Sequence, residues 1–387
     1  MTNPAPDLDA HRRRAMEAMD TRRAWPGHAP WVRDAVEALP RHVFAPDRLW
    51  DWDGHAYVPV DRDADPDAWA RLVYAGPYDA AITEITAGRP SSSLSCTSVV
   101  AGMLDALDVE PGHRVLELGT GTGWNAALLA HRVGVTGHVT TVEAAPDLAT
   151  AARTTLVRAG FGDTTAVVVG DGALGHPDAG PYDRVIATYA VDHVPWTWIE
   201  QLRPGGDLVF PWGRLGHFAV TVAADGRSAT GWLQGLAQFM PARNTAPTPE
   251  FDEIRAGRPA EHEHLFARDV VPLHTDRDLL WALRVALPNV VYTTDTDEDG
   301  VNAWIHDGAR SWAVLTTLPD GRIRAGQGGP RRLVDEIEAA WDGWERDGRI
   351  RRWDHGVTIT AGEQFVWAGD AATGRRWVIP APVPVTD

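Results

Sequence analysis

The run VLELGTGTG at 115–123 constrains the fold of this chain more than any other stretch. Val115, Leu116 and Leu118 make a short apolar run, the pattern of a buried strand, and helical spacing begins at Trp124 and reaches about Arg132. Between them Gly119, Gly121 and Gly123 permit a tight turn and let the backbone pass close to a ligand. The start of the next helix offers N–H groups with no partner of their own. Dinucleotide loops space their glycines as G-x-G-x-x-G. Here the third glycine comes one residue early, and Glu117 precedes the loop.

The same logic extends outward. Val99, Val100, Met103, Leu104 and Leu107 recur at helical spacing. Strands are expected at 138–142, 166–169, 184–187 and 207–210, with helices over 147–159 and 196–202 between them. Such alternation predicts an α/β fold, a doubly wound, mainly parallel sheet with helices on both faces. Further strands are expected at 217–222 and 230–236. A proline-bearing boundary falls at 242–249. Past it, helices near 276–285 and 333–344 and strands near 290–294, 303–306, 312–316, 357–360 and 365–367 predict an additional C-terminal α+β domain over 241–387. Upstream, residues 1–28 read as a polar tail. Residues 29–78 read as a helix over 29–44 and a Trp-rich segment of loops and short strands. The Rossmann-like body is expected over 79–240.

Composition narrows the function classes. The chain carries a net charge of −17, and its basic residues are all arginine. An acidic field repels phosphates, which disfavours a nucleic-acid partner. No stretch approaches the length of a membrane helix, and the polar N-terminus lacks a signal core. The one cysteine, Cys96, cannot form a disulfide within the chain, which fits a cytoplasmic setting. Nothing in the sequence specifies an oligomeric state.

The glycine spacing, with Glu117 ahead of it, resembles motif I of class I S-adenosylmethionine methyltransferases. Glu143 ends the next strand, where an acid can accept hydrogen bonds from ribose hydroxyls. Asp171, in the GDG turn at 170–172, can accept from an adenine amino group. The ordered set is similar to one family in particular, the protein-L-isoaspartate O-methyltransferases. It comprises VEALPR at 36–41 with Phe44, AAIT at 80–83, SLSCTSVVAGM at 93–103, LELGTGTGWN at 116–125, GDG at 170–172, and LRPGG at 202–206 before VFP at 209–211. The resemblance covers about 29–215. It implies S-adenosyl-L-methionine as donor and no metal. It places Glu117, Gly119, Thr120, Gly121, Gly123 and Asn125 at the cofactor, joined by Glu143, Asp171, Gly172 and Thr188.

By the same resemblance Ser95 takes the place of the family's active-site serine. Its neighbours Ser93, Cys96 and Thr97 would face the acceptor. Here Cys96 and Thr97 stand where the family has a small or amide residue and a proline. A second loop, TYAVDHVP at 188–195, replaces the family's Ala-Ala-Pro-x-x-x-Pro. Tyr189 and His193 are its acceptor candidates, and Thr188 is a third. The chemistry asks little: a carboxylate is already ionised at neutral pH, so the enzyme must align it with the activated methyl. The length beyond the methyltransferase region resembles actinobacterial tailoring enzymes. This implies methyl esterification of an Asp in a ribosomally made, macrocyclic precursor peptide, leading to an aspartimide. The alternatives are general repair of isoaspartyl proteins and a non-catalytic cofactor-binding scaffold.

Other motifs are weighed against ordinary structure. Asp295, Asp297, Asp299 and Gly300 mimic an EF-hand start, but the twelfth position is His306, so an acidic hairpin turn is expected. The alternation Glu261, His262, Glu263, His264 reads as a solvated segment rather than a metal site. Arginines 12–14 and 349–352 read as solvated faces.

Overall fold

The computed structural model describes residues 6–213, 215–243, 245 and 248–381. Residues 1–5 of the expected tail and 244, 246 and 247 of the expected boundary lie outside them. The elements are, in order, α1 Leu8–Thr21, α2 Trp31–Ala38, α3 Arg41–Phe44, β1 Arg48–Trp52, β2 Tyr57–Asp61, α4 Pro66–Val73, β3 Ala81–Thr86, β4 Arg89–Leu94 and α5 Thr97–Leu107. The central part follows as β5 Arg114–Leu118, α6 Trp124–Val133, β6 His138–Glu143, α7 Pro146–Arg158, β7 Thr165–Val169, β8 Tyr182–Ala187, α8 Trp196–Glu200, β9 Leu202–Trp212, β10 Gly216–Val222 and β11 Ser228–Leu236. The rest is α9 Phe251–Arg255, β12 His262–Phe266, α10 Val271–Thr275, α11 Arg277–Ala286, β13 Val291–Thr296, β14 Val301–His306, β15 Trp312–Thr317, β16 Ile323–Gly328, α12 Leu333–Arg346, β17 His355–Thr360, β18 Gln364–Ala368 and β19 Arg375–Val378.

Two compact units result. The first is built from Met1–Arg243, Val357–Gln364 and Pro380–Asp387, the second from Asn244–Gly356 and Phe365–Ile379. In the first, the sheet order is β17-β11-β10-β9-β8-β5-β6-β7. β5 lies parallel between β6 and β8. β6 pairs parallel with β7 and β8 with β9, while β10 and β11 are antiparallel. The strand order therefore reverses at β5. In open α/β sheets the crevice beyond the carboxyl ends of the strands at such a reversal is the usual ligand position. This strand order is the doubly wound α/β arrangement expected from the alternation.

The core beneath that crevice is aliphatic. Val32, Ala35, Leu104, Leu107, Leu128, Leu129 and Val133 are fully buried, the valines and leucines each contributing about 1.5–3 kcal/mol by leaving water. Trp124 joins them at 2% exposure, and its indole N–H donates to the Leu39 carbonyl at 3.0 Å, so its polar atom is satisfied.

Several elements depart from the sequence reading. The expected tail contains α1. Leu8, Ala15, Met16 and Met19 lie on one helical face, Met19 is 1% exposed, and Asp7 caps the helix by accepting from Ala10 N at 2.8 Å. The intervening arginines hide that stripe in the sequence. The single helix expected over 29–44 is two. Pro40 takes an extended conformation (φ −60, ψ 134), and a proline drives the residue before it out of the helical region. The Trp-rich segment holds the hairpin β1–β2, which pairs in register from Arg48 with Asp61 to Trp52 with Tyr57. It also holds α4, started by Asp65 and Pro66.

The second unit carries an antiparallel sheet in the order β12-β16-β15-β14-β13. Leu279, Leu283, Val334, Ile337 and Trp341, from α11 and α12, share a core with Ala303, Ile305, Ala313 and Leu315. The acidic run is the turn between β13 and β14, where Asp297 Oδ1 accepts from the N–H groups of Asp299 and Gly300. Glu261, His262, Glu263 and His264 are exposed, as expected of a solvated segment, and His262–Phe266 is an edge strand paired with β16. Among the described residues no helix is long and apolar enough to cross a membrane.

Candidate active site

The crevice is floored by the glycine loop. Gly119, Gly121 and Gly123 all take positive φ (95, 52 and 83), the left-handed region that favours glycine. The Gly119 N–H donates to the Val142 carbonyl at 2.8 Å and Gly123 N–H to the Thr120 carbonyl at 2.9 Å, which ties the loop across β6 and into α6.

Beneath the loop lies a buried polar chain. Glu117 is fully buried. Its Oε1 accepts from Asn125 Nδ2 at 2.8 Å and its Oε2 from the Thr141 hydroxyl at 2.5 Å. Thr141 in turn meets the Thr120 hydroxyl at 2.6 Å. The resemblance assigns Glu117, Thr120 and Asn125 to the cofactor; in the structure their side chains are linked through Glu117 and Thr141. Burial pushes the Glu117 carboxyl up to about 7, against the hydrogen bonds of Thr141 and Asn125 and with a further upward push from Glu143.

This shift has a pH consequence. An unfolded chain releases the proton near the ordinary 4.5 while the folded one keeps it to about 7. The stability from this group is full below pH 4.5 and is lost as pH rises through 7, a difference of roughly 3 kcal/mol. Glu117→Gln cannot ionise and keeps the shape. It should melt higher than the parent at pH 8, with the gap closing at pH 4, in calorimetry across that range. Parallel profiles would show an ordinary carboxyl.

Glu143 ends β6 at 4% exposure. Its Oε2 accepts from Gly121 N–H at 2.9 Å and its Oε1 from Ala145 N–H at 3.1 Å. Arg243, beyond β11, brings its Nε to 3.7 Å from Glu143 and pairs with Glu84 of β3. Neither arginine contact had a sequence signal. Asp171, beyond β7, accepts from Ala173 N–H at 2.9 Å, and the Trp198 indole fixes the Gly172 carbonyl at 2.9 Å. Glu143 and Asp171 thus stand at adjacent strand ends beside the glycine loop. That donor and acceptor set fits an adenosyl ligand.

The serine turn reaches the same loop. A Cβ on Gly121 would stand 3.8 Å from the Ser93 carbonyl and 3.9 Å from Ser92 Oγ, so the end of β4 lies over the turn. Ser92 was not singled out by the sequence. Ser95 follows, half-buried. Cys96 caps α5, its Sγ 3.7 Å from Ser98 Oγ. This turn is held by Arg41, 5% exposed. The guanidinium donates to the carbonyls of Val73 (2.9 Å), Leu94 (3.1 Å) and Ser95, and to Thr97 Oγ1 (3.4 Å), and it lies 4.9 Å from the centre of the Trp124 ring. These acceptors are all uncharged. Burial pulls the Arg41 guanidinium down to about 10, with Cys96 and Tyr74 pushing the other way, so it stays charged.

The second loop leaves β8. Thr188 spends its hydroxyl on the carbonyls of Gly119 (2.7 Å) and Leu118 (3.1 Å). Tyr189 lays its ring over Gly119 and Gly172. His193 meets Gln364 Nε2 at 3.2 Å, and burial holds its imidazole below the ordinary value, partly offset by the hydrogen bond at Val194. Gln364 also accepts from Val194 N–H at 3.0 Å and donates to its carbonyl at 2.6 Å. The loop is therefore anchored by a residue 170 positions away, which local patterning could not reveal.

The parallel sheet reversing at β5, the glycine turn and the two strand-end acids define a class I S-adenosylmethionine methyltransferase. Residues 27–230 match the family described as protein-L-isoaspartate(D-aspartate) O-methyltransferase, and the chain belongs to that family. It is 43% identical over 200 residues to the protein-L-isoaspartate O-methyltransferase of Hyperthermus butylicus, covering 49% of this chain and 72% of that one. It is 33% identical over 210 residues to protein-L-isoaspartate O-methyltransferase 1 of Archaeoglobus fulgidus, covering 54% and 84%. A solved protein-L-isoaspartate O-methyltransferase structure matches with a TM-score of 0.50 at 21% identity, covering 93% of this chain and all of the other, a likeness of fold.

Proposed function

We propose that this chain transfers a methyl group from S-adenosylmethionine to a carboxylate of a protein or peptide, with L-isoaspartyl residues as the acceptor class. The observation that carries the reading is the end of β4, which leads into Ser95, standing beside the glycine loop at Gly121. The bound donor supplies an activated methyl group. The protein's own work is placement. Backbone N–H groups of the loop and the acids Glu143 and Asp171 hold the donor. The Ser95 hydroxyl donates to one oxygen of the acceptor carboxylate and leaves the other free to attack. No proton needs to be removed from a carboxylate at neutral pH, so the site needs no general base.

Ser95→Ala tests this role. One hydrogen bond to a charged group is worth about 1.5–3 kcal/mol. The variant should lose roughly 10- to 100-fold in kcat/KM on an isoaspartyl peptide while binding S-adenosylhomocysteine as before. Unchanged turnover would remove Ser95 from the reaction. No turnover by the parent chain on any carboxylate acceptor, with cofactor binding intact, would favour the scaffold alternative.

A second reading, an Asp side chain of a cyclised ribosomal peptide as acceptor, is favoured by one feature. The matched family region ends at 230, and the second unit lies beyond it. Selectivity for one Asp needs contacts away from the carboxylate, and we assign that role to the second unit. Mass spectrometry separates the readings. An isoaspartyl peptide should be methylated in preference to its Asp counterpart in the first case. In the second, a cyclised Asp peptide gains one methyl, then loses methanol as the neighbouring amide closes an aspartimide.

A further inference from the structure

Tyr189 lies over the glycines at which the adenosyl group would bind. Its backbone is pinned on both sides. Thr188 N–H donates to the Leu118 carbonyl at 2.9 Å, and Ala190 N–H donates to the Met240 carbonyl at 2.8 Å. Between these anchors the side chain runs from the end of β8 across β5 toward β7. A Cβ on Gly119 would meet the Tyr189 ring at 3.0 Å, and one on Gly172 would meet its hydroxyl at 2.3 Å. The ring thus rests on two glycines at the ends of β5 and the β7 turn, in space that any other residue would fill. Between those strands stands β6, ending in Glu143. Burial pushes the phenol upward, and the negative charges of Asp171 and Glu143 add to it. The hydroxyl itself stands at Gly172, next to Asp171 in the chain. The far edge of the ring packs against Trp198, with centroids 6.2 Å apart and planes at 77°.

The geometry points to Tyr189 as a built-in competitor for the adenosyl subsite, one that weakens the binding of donor and spent cofactor alike. A ring lying across Gly119 and Gly172 and an adenosyl group bound over the same two glycines exclude each other. Because the flanking backbone is fixed, the ring leaves by rotating about its side-chain bonds rather than by loop movement. Apparent affinity then falls by the fraction of molecules with the ring turned away. The benefit is release: the ring returns to its place as the demethylated cofactor departs. This inference rests on the methyltransferase reading and deepens it.

Calorimetric titration of S-adenosylhomocysteine into the whole chain tests it. Tyr189→Ala should bind about tenfold more tightly than the parent and associate faster. Tyr189→Phe, which keeps the ring, should stay close to the parent. Weaker binding by Tyr189→Ala would make the ring a supporting wall and overturn the proposal, as would equal binding. A second readout uses the parent sequence. The chain has 6 tyrosines, and fluorotyrosine labelling resolves them by NMR. The resonance missing from Tyr189→Phe should move on titration, and a resonance that stays still overturns the competitor. If neither the parent nor Tyr189→Ala binds S-adenosylhomocysteine, the cofactor assignment itself falls. Binding with a motionless Tyr189 defeats the competitor alone.

Discussion

Gly119→Val is expected to bind S-adenosylhomocysteine at least about a hundredfold more weakly than the parent, a loss of about 2.7 kcal/mol. Two effects add. Gly119 has φ 95, a region that a β-branched residue enters only with strain. A Cβ there would also stand 2.4 Å from Thr188 Oγ1 and 3.0 Å from the Tyr189 ring. The Thr188 hydroxyl would give up the Gly119 carbonyl, and the loop would lose its fixed course between β5 and α6. Calorimetric titration with a circular-dichroism melt reads both binding and folding. A folded variant with unchanged affinity would show that the loop does not touch the ligand.

The second large effect is at Arg41. Arg41→Met should destabilise the chain by roughly 3–5 kcal/mol, because it strands the buried carbonyls of Val73, Leu94 and Ser95 without donors. Burying the guanidinium is itself costly, as its lowered pKa shows, yet its bonds to these carbonyls offset that cost. Arg41→Lys keeps the charge but not the planar fork and should fall between the two. Urea denaturation at neutral pH measures the order. The turn that carries Ser95 should loosen with it, so kcat should fall before the fold is lost. A Met variant as stable as the parent would mean that this turn does not depend on the arginine.

Much of the site was legible because its signals are local. The loop glycines adjoin a strand and a helix, and their positive φ values are what the spacing implied. Glu143 and Asp171 were placed at strand ends by counting along an alternating chain. Parallel strands such as Val115–Leu118 are buried on both faces and read as apolar runs. The edge strand β12, its neighbour β16 and the serine-rich β4 carry polar or glycine-rich runs, so period alone hid them. In α1 three arginines masked a sparse apolar face.

Sequence by itself determined the class of fold, the glycine turn, and the order in which the candidate acids and serine follow along the chain, since these depend on residue type and short spacing. Tertiary structure alone decided that Glu117 lies under the loop on Thr141, that Arg41 holds the Ser95 turn from 54 residues away, that Gln364 anchors His193, and that the Tyr189 ring crosses to Gly172. Each of those contacts joins segments that meet only when the sheet closes, and a pairing made by packing leaves no periodic mark on the chain that makes it.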